Sequence, residues 1–208
     1  IDIAYEGRAV PCRFVGDSAR GSVVAAPDYI PENYKGENIE KAKQIMEKEG
    51  AIGTEITIYS NNLDSFPAMS VYLQSVLNEI GFVADVQNLE SGAFSAGLYE
   101  KGYEICVASS TPITYDFGEN LKITSSKSIP YGNYARLRSE ELDSLLDAGE
   151  KALDVEERVQ YYSEAVELLW DNCSIISLCC PDATIAYRND LVCDAPEFRA
   201  FQYFHWAE

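Results

Sequence analysis

Thr54-Glu-Ile-Thr-Ile-Tyr59, Pro67-Ala-Met-Ser-Val-Tyr-Leu-Gln-Ser-Val-Leu-Asn-Glu-Ile-Gly81, Phe82-Val-Ala-Asp-Val86 and Tyr103-Glu-Ile-Cys-Val-Ala108 follow one another with two alternating periodicities. In the first, Ile56 and Ile58 recur every second residue, which puts them on one face of a strand. In the second, Met69, Leu73, Val76 and Ile80 form a helical stripe with Pro67 near the first turn and Gly81 as the stop. The third reads as a strand. Ser91 then offers a cap for a short helix carrying Phe94 and Leu98, and Tyr103 to Ala108 reads as a buried strand. Strand, helix, strand, helix, strand with short connections predicts parallel strands with helices on the sheet faces. This is half of a doubly wound α/β sheet.

Outward from that stretch, Asn38 predicts the cap of a helix whose Ile39, Ala42, Ile45 and Met46 recur at helical spacing, with Gly50 as a left-handed stop. Residues 1–36 are rich in Pro, Gly, Ser and Tyr and read as extended segments and turns. Residues 109–135 have little periodic pattern, and a loop of that kind inside a domain is usually functional or mobile. Beyond it, Ser139 predicts the cap of a helix with Leu142, Leu145 and Leu146 inward. Asp154 with Glu157 makes a capping box for a long helix bearing Val155, Tyr162, Ala165, Val166 and Leu169. Ser174 to Cys179 and Thr184 to Tyr187 read as strands separated by a turn at Pro181 and Asp182. Phe204 to Glu208 reads as a strand that more protein would continue, and the start at Ile1 reads as a mature or excised end.

The 208 residues are 47% hydrophobic, enough for a sizeable core. Thirty-four acids against 16 bases give a formal charge of -18, which repels phosphate backbones and excludes nucleic acid as a partner. The acids are spread over helix faces and read as a solvated surface. No stretch approaches the length of a membrane span. The six cysteines contain no CxxC pair and His205 is the only histidine, so no metal site is expected. Cys106 and Cys179 read as small buried hydrophobes. Cys12 and Cys193 could pair in an oxidising compartment, and the sequence leaves the connectivity open.

Ligands of open parallel sheets settle beyond the carboxyl ends of the strands. That rule selects Ser60, Asn61 and Asn62 after the first strand, and Ser109, Ser110, Thr111, Tyr115 and Asp116 after the third. Hydroxyls and amides both donate and accept hydrogen bonds, which suits a solute held and released unchanged. The competing reading is turn chemistry, in which these side chains bond their own backbone. Catalysis finds less support: a Ser, His and Asp triad would have to use His205, and no nucleophile elbow, P-loop or dinucleotide fingerprint is present, so no cofactor is expected. A small α/β hydrolase with paired carboxylates, and a sensory or interaction domain, are the alternatives to a binding lobe.

Several stretches together resemble the C-terminal lobe of the family 5 extracellular solute-binding proteins, the dipeptide and oligopeptide binders of ABC importers. They are Tyr5-Glu-Gly-Arg-Ala-Val-Pro11, Ile39 to Gly50, Leu73 to Gly81, Phe94 with Tyr103-Glu-Ile105, Asn133-Tyr134, Glu141 to Leu146, Asp154 to Arg158, Tyr162, and Ile175-Ile-Ser-Leu178. The resemblance implies one lobe of a type II periplasmic-binding-protein-like fold, with 1–36 as entry segment, 37–188 as α/β core and 189–208 as a return toward an N-terminal lobe. It also implies an extracytoplasmic, lipid-anchored protein that captures a small solute or peptide and delivers it to an ABC permease. Peptide-binding members place a Trp and then an Asp after the third strand, the Asp taking the peptide's amino terminus. Here Ser110 and Ile113 stand at those places, so that amine clamp is absent or displaced to Asp116.

Overall fold

The structure, a computed structural model, describes residues 1–12, 38–63, 65–110, 116–182, 186–194 and 201–207. Its short first helix α1 (Asp2–Tyr5) and strand β1 (Ala9–Pro11) give the entry segment more order than its composition suggests. Helix α2 (Ile39–Lys48) begins as expected at Asn38, whose side chain accepts the Lys41 N–H.

The three strands of the central sheet are parallel. β2 (Glu55–Asn61) lies between β3 (Val83–Leu89) and β4 (Ile105–Val107). Register sets Ile56 beside Ala84, and Ile58 beside Val86 and Ile105, so the period-two residues of all three strands share one face. Helix α3 (Phe66–Ile80) covers that face with Phe66, Met69, Leu73 and Leu77, and Ile58 is completely buried. A side chain of this size, fully buried, contributes about 1.5–3 kcal/mol. Gly81, at φ 115°, stops α3, where an L side chain would be strained. On the opposite face Tyr59 stacks on Tyr103 with ring centroids 4.2 Å apart, and Tyr103 stacks in turn on Phe94 of α4 (Ser91–Glu100). The helix starts at Ser91 itself, with Glu90 in the cap position, so Ser91 is not the cap.

A second core is helical. Helices α5 (Phe117–Leu121), α6 (Glu140–Lys151) and α7 (Val155–Asp171) enclose Leu121, Leu142, Leu146, Tyr162, Ala165 and Trp170. Ser139 and Asp154 cap α6 and α7 as their sequence predicts, accepting the N–H groups of Leu142 and Glu157. Tyr162 lies against Gly118 and Gly149, and a Cβ on either glycine would collide with its ring.

Toward the C-terminal end the strand expectations change. Residues 175–178 carry no strand, and the ladder is β5 (Cys179–Pro181), which includes Pro181 instead of turning there. The edge strand β1 needs a partner, and β5 supplies one in antiparallel register. Residues 186–187 are not strand, and 183–185 lie outside the described residues. Phe204–Trp206 is a strand as expected, β7, antiparallel to β6 (Leu191–Cys193). All six cysteines are thiols, Cys12 and Cys193 included. Among the described residues no helix is long and apolar enough to cross a membrane.

Candidate functional site

Because β2, β3 and β4 are parallel, each releases its chain at the same edge of the sheet. Ser60 to Asn62, Asn88 to Glu90 and Ala108 to Ser110 are therefore neighbours at that edge. The sequence rule for parallel sheets selected the first and third of these and missed the second. The expected strand ended at Val86, but the ladder continues to Leu89 because Gln87 and Asn88 pair with Tyr59 and Ser60 despite being polar. The signal was available: the rule that picked Asn61 applies equally to the end of β3.

The edge is knitted by hydrogen bonds between strands. Ser60 is fully buried and its hydroxyl donates to Asn88 Oδ1 at 2.6 Å, which turns it into a support for Asn88. Asn62 bonds the end of β3 and the residue after it, donating its backbone N–H to Leu89 O at 2.9 Å and Nδ2 to Glu90 Oε1 at 2.8 Å. Asn61 Oδ1 accepts the Leu63 N–H at 3.0 Å, the local turn chemistry that was its competing reading. Ser109 and Ser110 are exposed just past β4. Thr111 and Tyr115 lie outside the described residues.

Asp116 stands where the irregular segment meets the helical core. One carboxylate oxygen accepts the Glu119 N–H at 2.9 Å and caps α5; the other accepts from Arg158 Nη2 on α7 at 2.9 Å. Burial acts to raise its pKa, but the Glu119 N–H and the Arg158 guanidinium outweigh it and hold the group below its ordinary value. Arg158 was missed because its sequence position, in the first turn of a capped helix, reads as an ordinary solvated cation. On the sheet, burial pushes the Cys106 thiol up, in keeping with its expected role as a small hydrophobe. Among the described residues no three His, Cys, Asp or Glu side chains gather as a metal site would require.

No protein-family model matches the chain, and no curated protein does. Solved structures do. The periplasmic binding protein DppA of Helicobacter pylori, in complex with the peptide STSA, superposes with a TM-score of 0.74 at 23% identity, over 87% of this chain and 35% of that one. The ABC transporter substrate-binding protein CtaP of Listeria monocytogenes gives 0.76 at 23% identity, over 87% and 37%. The murein tripeptide binding protein MppA of Escherichia coli gives 0.72 at 16% identity, over 83% and 34%. At these identities the likeness defines the fold alone: α/β with a parallel sheet, as in one lobe of those proteins. The chain spans about a third of the length of these structures. They are solute-binding proteins of the kind that the sequence resemblance singled out.

Proposed function

We propose that this chain is the C-terminal lobe of the substrate-binding component of an ABC importer, without catalytic activity. In this reading the polar edge of its parallel sheet forms one wall of a cleft for a small solute. One observation carries the proposal: three parallel strands release Asn61, Asn62, Asn88, Ser109 and Ser110 at a common edge, the place where open α/β sheets take ligands. Asn62 and the exposed serines offer donors and acceptors to a neutral or zwitterionic solute. Ser60 acts through Asn88. Asp116, with both oxygens engaged, anchors the end of the segment that carries Thr111 and Tyr115, which join the wall on sequence grounds alone. Peptides are the favoured solute class, supported by the STSA peptide bound to the DppA structure. The opposite wall belongs to an N-terminal lobe, delivery is to a membrane permease, and the whole protein is extracytoplasmic and lipid-anchored.

Only part of the contact surface is present in one lobe, so binding by this chain alone is weak. Calorimetry with di- and trialanine is expected to give dissociation constants well above the micromolar range, with no hydrolysis. Submicromolar affinity would contradict the one-wall geometry. Turnover of nitrophenyl esters or glycosides, abolished in Asp116→Asn, would establish the hydrolase reading in its place.

A further inference from the structure

Strand β3 pairs with β2 on one side only, so its other side is an edge of the sheet. The Val83 N–H donates to Thr54 O at one end of that pairing, and Leu89 O accepts the Asn62 N–H at the other. Alternate residues of a parallel ladder turn their backbone groups to opposite sides, so Val83, Asp85, Gln87 and Leu89 face β2 while Ala84, Val86 and Asn88 face outward. Helix α3 closes the first part of this outer side. Asn78 Oδ1 accepts the Ala84 N–H and Gln74 Nε2 donates to Ala84 O, each at 2.8 Å. One turn back along α3 the same row reaches Val71, 55% exposed, whose side chain has no hydrogen-bonding group. Among the described residues nothing bonds the N–H or C=O of Val86 or Asn88. Asp85, Gln87 and Asn88 are exposed. Sheet edges are ordinarily blunted, and this one is blunted over its first half only.

We propose that the open half of β3 is a docking edge for an extended, lysine- or arginine-bearing segment of a partner protein, which adds to the sheet as a further strand. Outward N–H and C=O groups on Val86 and Asn88, two residues apart, are what an added strand pairs with. Charge selects the occupant. Asp85 lies beside the open edge on the face away from α3, and Glu90 follows the strand. Among the described residues neither acid has a cationic partner, and the whole chain carries a formal charge of -18. A basic side chain directly across from Asp85 is attracted, whereas a like charge there is repelled. A second copy paired edge to edge would bring these acids toward their own images, which disfavours it. The solute wall is a separate surface: the outward groups of Val86 and Asn88 point away from β2, and Ser109 and Ser110 follow β4 on the far side of β2. Alternation puts every second residue of the docked segment on the α3 face, where the exposed Val71 suits a β-branched side chain.

The test titrates the 208-residue chain with the blocked pentapeptide acetyl-Lys-Val-Lys-Val-Lys-amide, which lacks the free termini of a peptide solute, with circular dichroism confirming that each variant is folded. Fluorescence anisotropy of the labelled peptide is expected to show binding that weakens about three- to tenfold in Asp85→Lys. Val71→Gln, which continues the amide row of α3 toward Val86, is expected to weaken it too. Amide hydrogen exchange followed by NMR should slow at Val86 and Asn88 when the peptide binds. A peptide N-methylated at its pairing amides, and the Glu-Val-Glu-Val-Glu analogue, are both expected to fail. No binding at millimolar peptide, unslowed exchange at Val86 and Asn88, or full affinity of either control peptide would overturn the docking edge. Displacement of the pentapeptide by trialanine would place it in the solute wall instead, and slowed exchange at high protein concentration without peptide would make the occupant a second copy; either result also overturns the proposal.

Discussion

The central sheet and the helical core bury their apolar residues to very different degrees. In the helical unit nine residues of α5, α6 and α7 form a continuous buried cluster. Around the sheet Ile58, Phe66, Ala84 and Val107 form a smaller buried cluster, with Phe94 and Leu98 buried on the other face, while Val71, Tyr72 and Val83 remain more than half exposed. The helical unit encloses its own core, though Val155 at the start of α7 is 60% exposed. The sheet unit spends one edge on polar side chains, the edge proposed above to meet a solute.

Five substitutions probe this contrast. Leu121→Ala, at a fully buried helical position, is expected to lower stability by about 2–5 kcal/mol in urea unfolding, and a loss under about 1 kcal/mol would mean that the helical core is not the scaffold. Gly118→Ala drives a methyl into the Tyr162 ring and should cost about 1–3 kcal/mol; a neutral result would show that α5 and α7 can separate freely. Asp116→Ala should cost about 1 kcal/mol, mostly through the lost cap, since the Arg158 pair is more than a third exposed and screened. Asp116→Asn keeps the cap and removes the charge. Because the folded pKa of Asp116 lies below its unfolded value, its charge contributes stability above the unfolded pKa of about 4, and that contribution fades as pH falls through the folded value. The Asn variant should therefore lose less stability than the parent on acidification, and identical acid profiles would show that the ion pair contributes nothing. Smallest in stability is Asn62→Ala, within about 0.5 kcal/mol, yet it should weaken trialanine binding in calorimetry; unchanged affinity would remove Asn62 from the wall.

The same contrast explains what the sequence made legible. Helix starts at Asn38, Ser139 and Asp154 were readable because a cap side chain and the backbone N–H that it accepts lie within three residues of each other. The parallel order of the sheet was readable from alternation, since crossover rules leave few other arrangements. What escaped depends on partners distant in sequence. β5 begins at Cys179 because β1 lies opposite it, and β3 extends to Leu89 because Tyr59, Ser60 and Asn61 continue to pair with it. At the site, Asn61 and Asn62 carry the same side chain, but one closes its own turn and the other bonds Glu90 across strands, a distinction set by register and not by residue type.

The most direct measurement of the central claim is an amide NMR titration of the chain with trialanine. Shifts concentrated at Asn61, Asn62, Asn88, Glu90, Ser109 and Ser110, with α6 and α7 silent, are the predicted result. Shifts centred on the helical unit, or none at millimolar peptide, would contradict the assignment of the sheet edge as the wall that holds the solute.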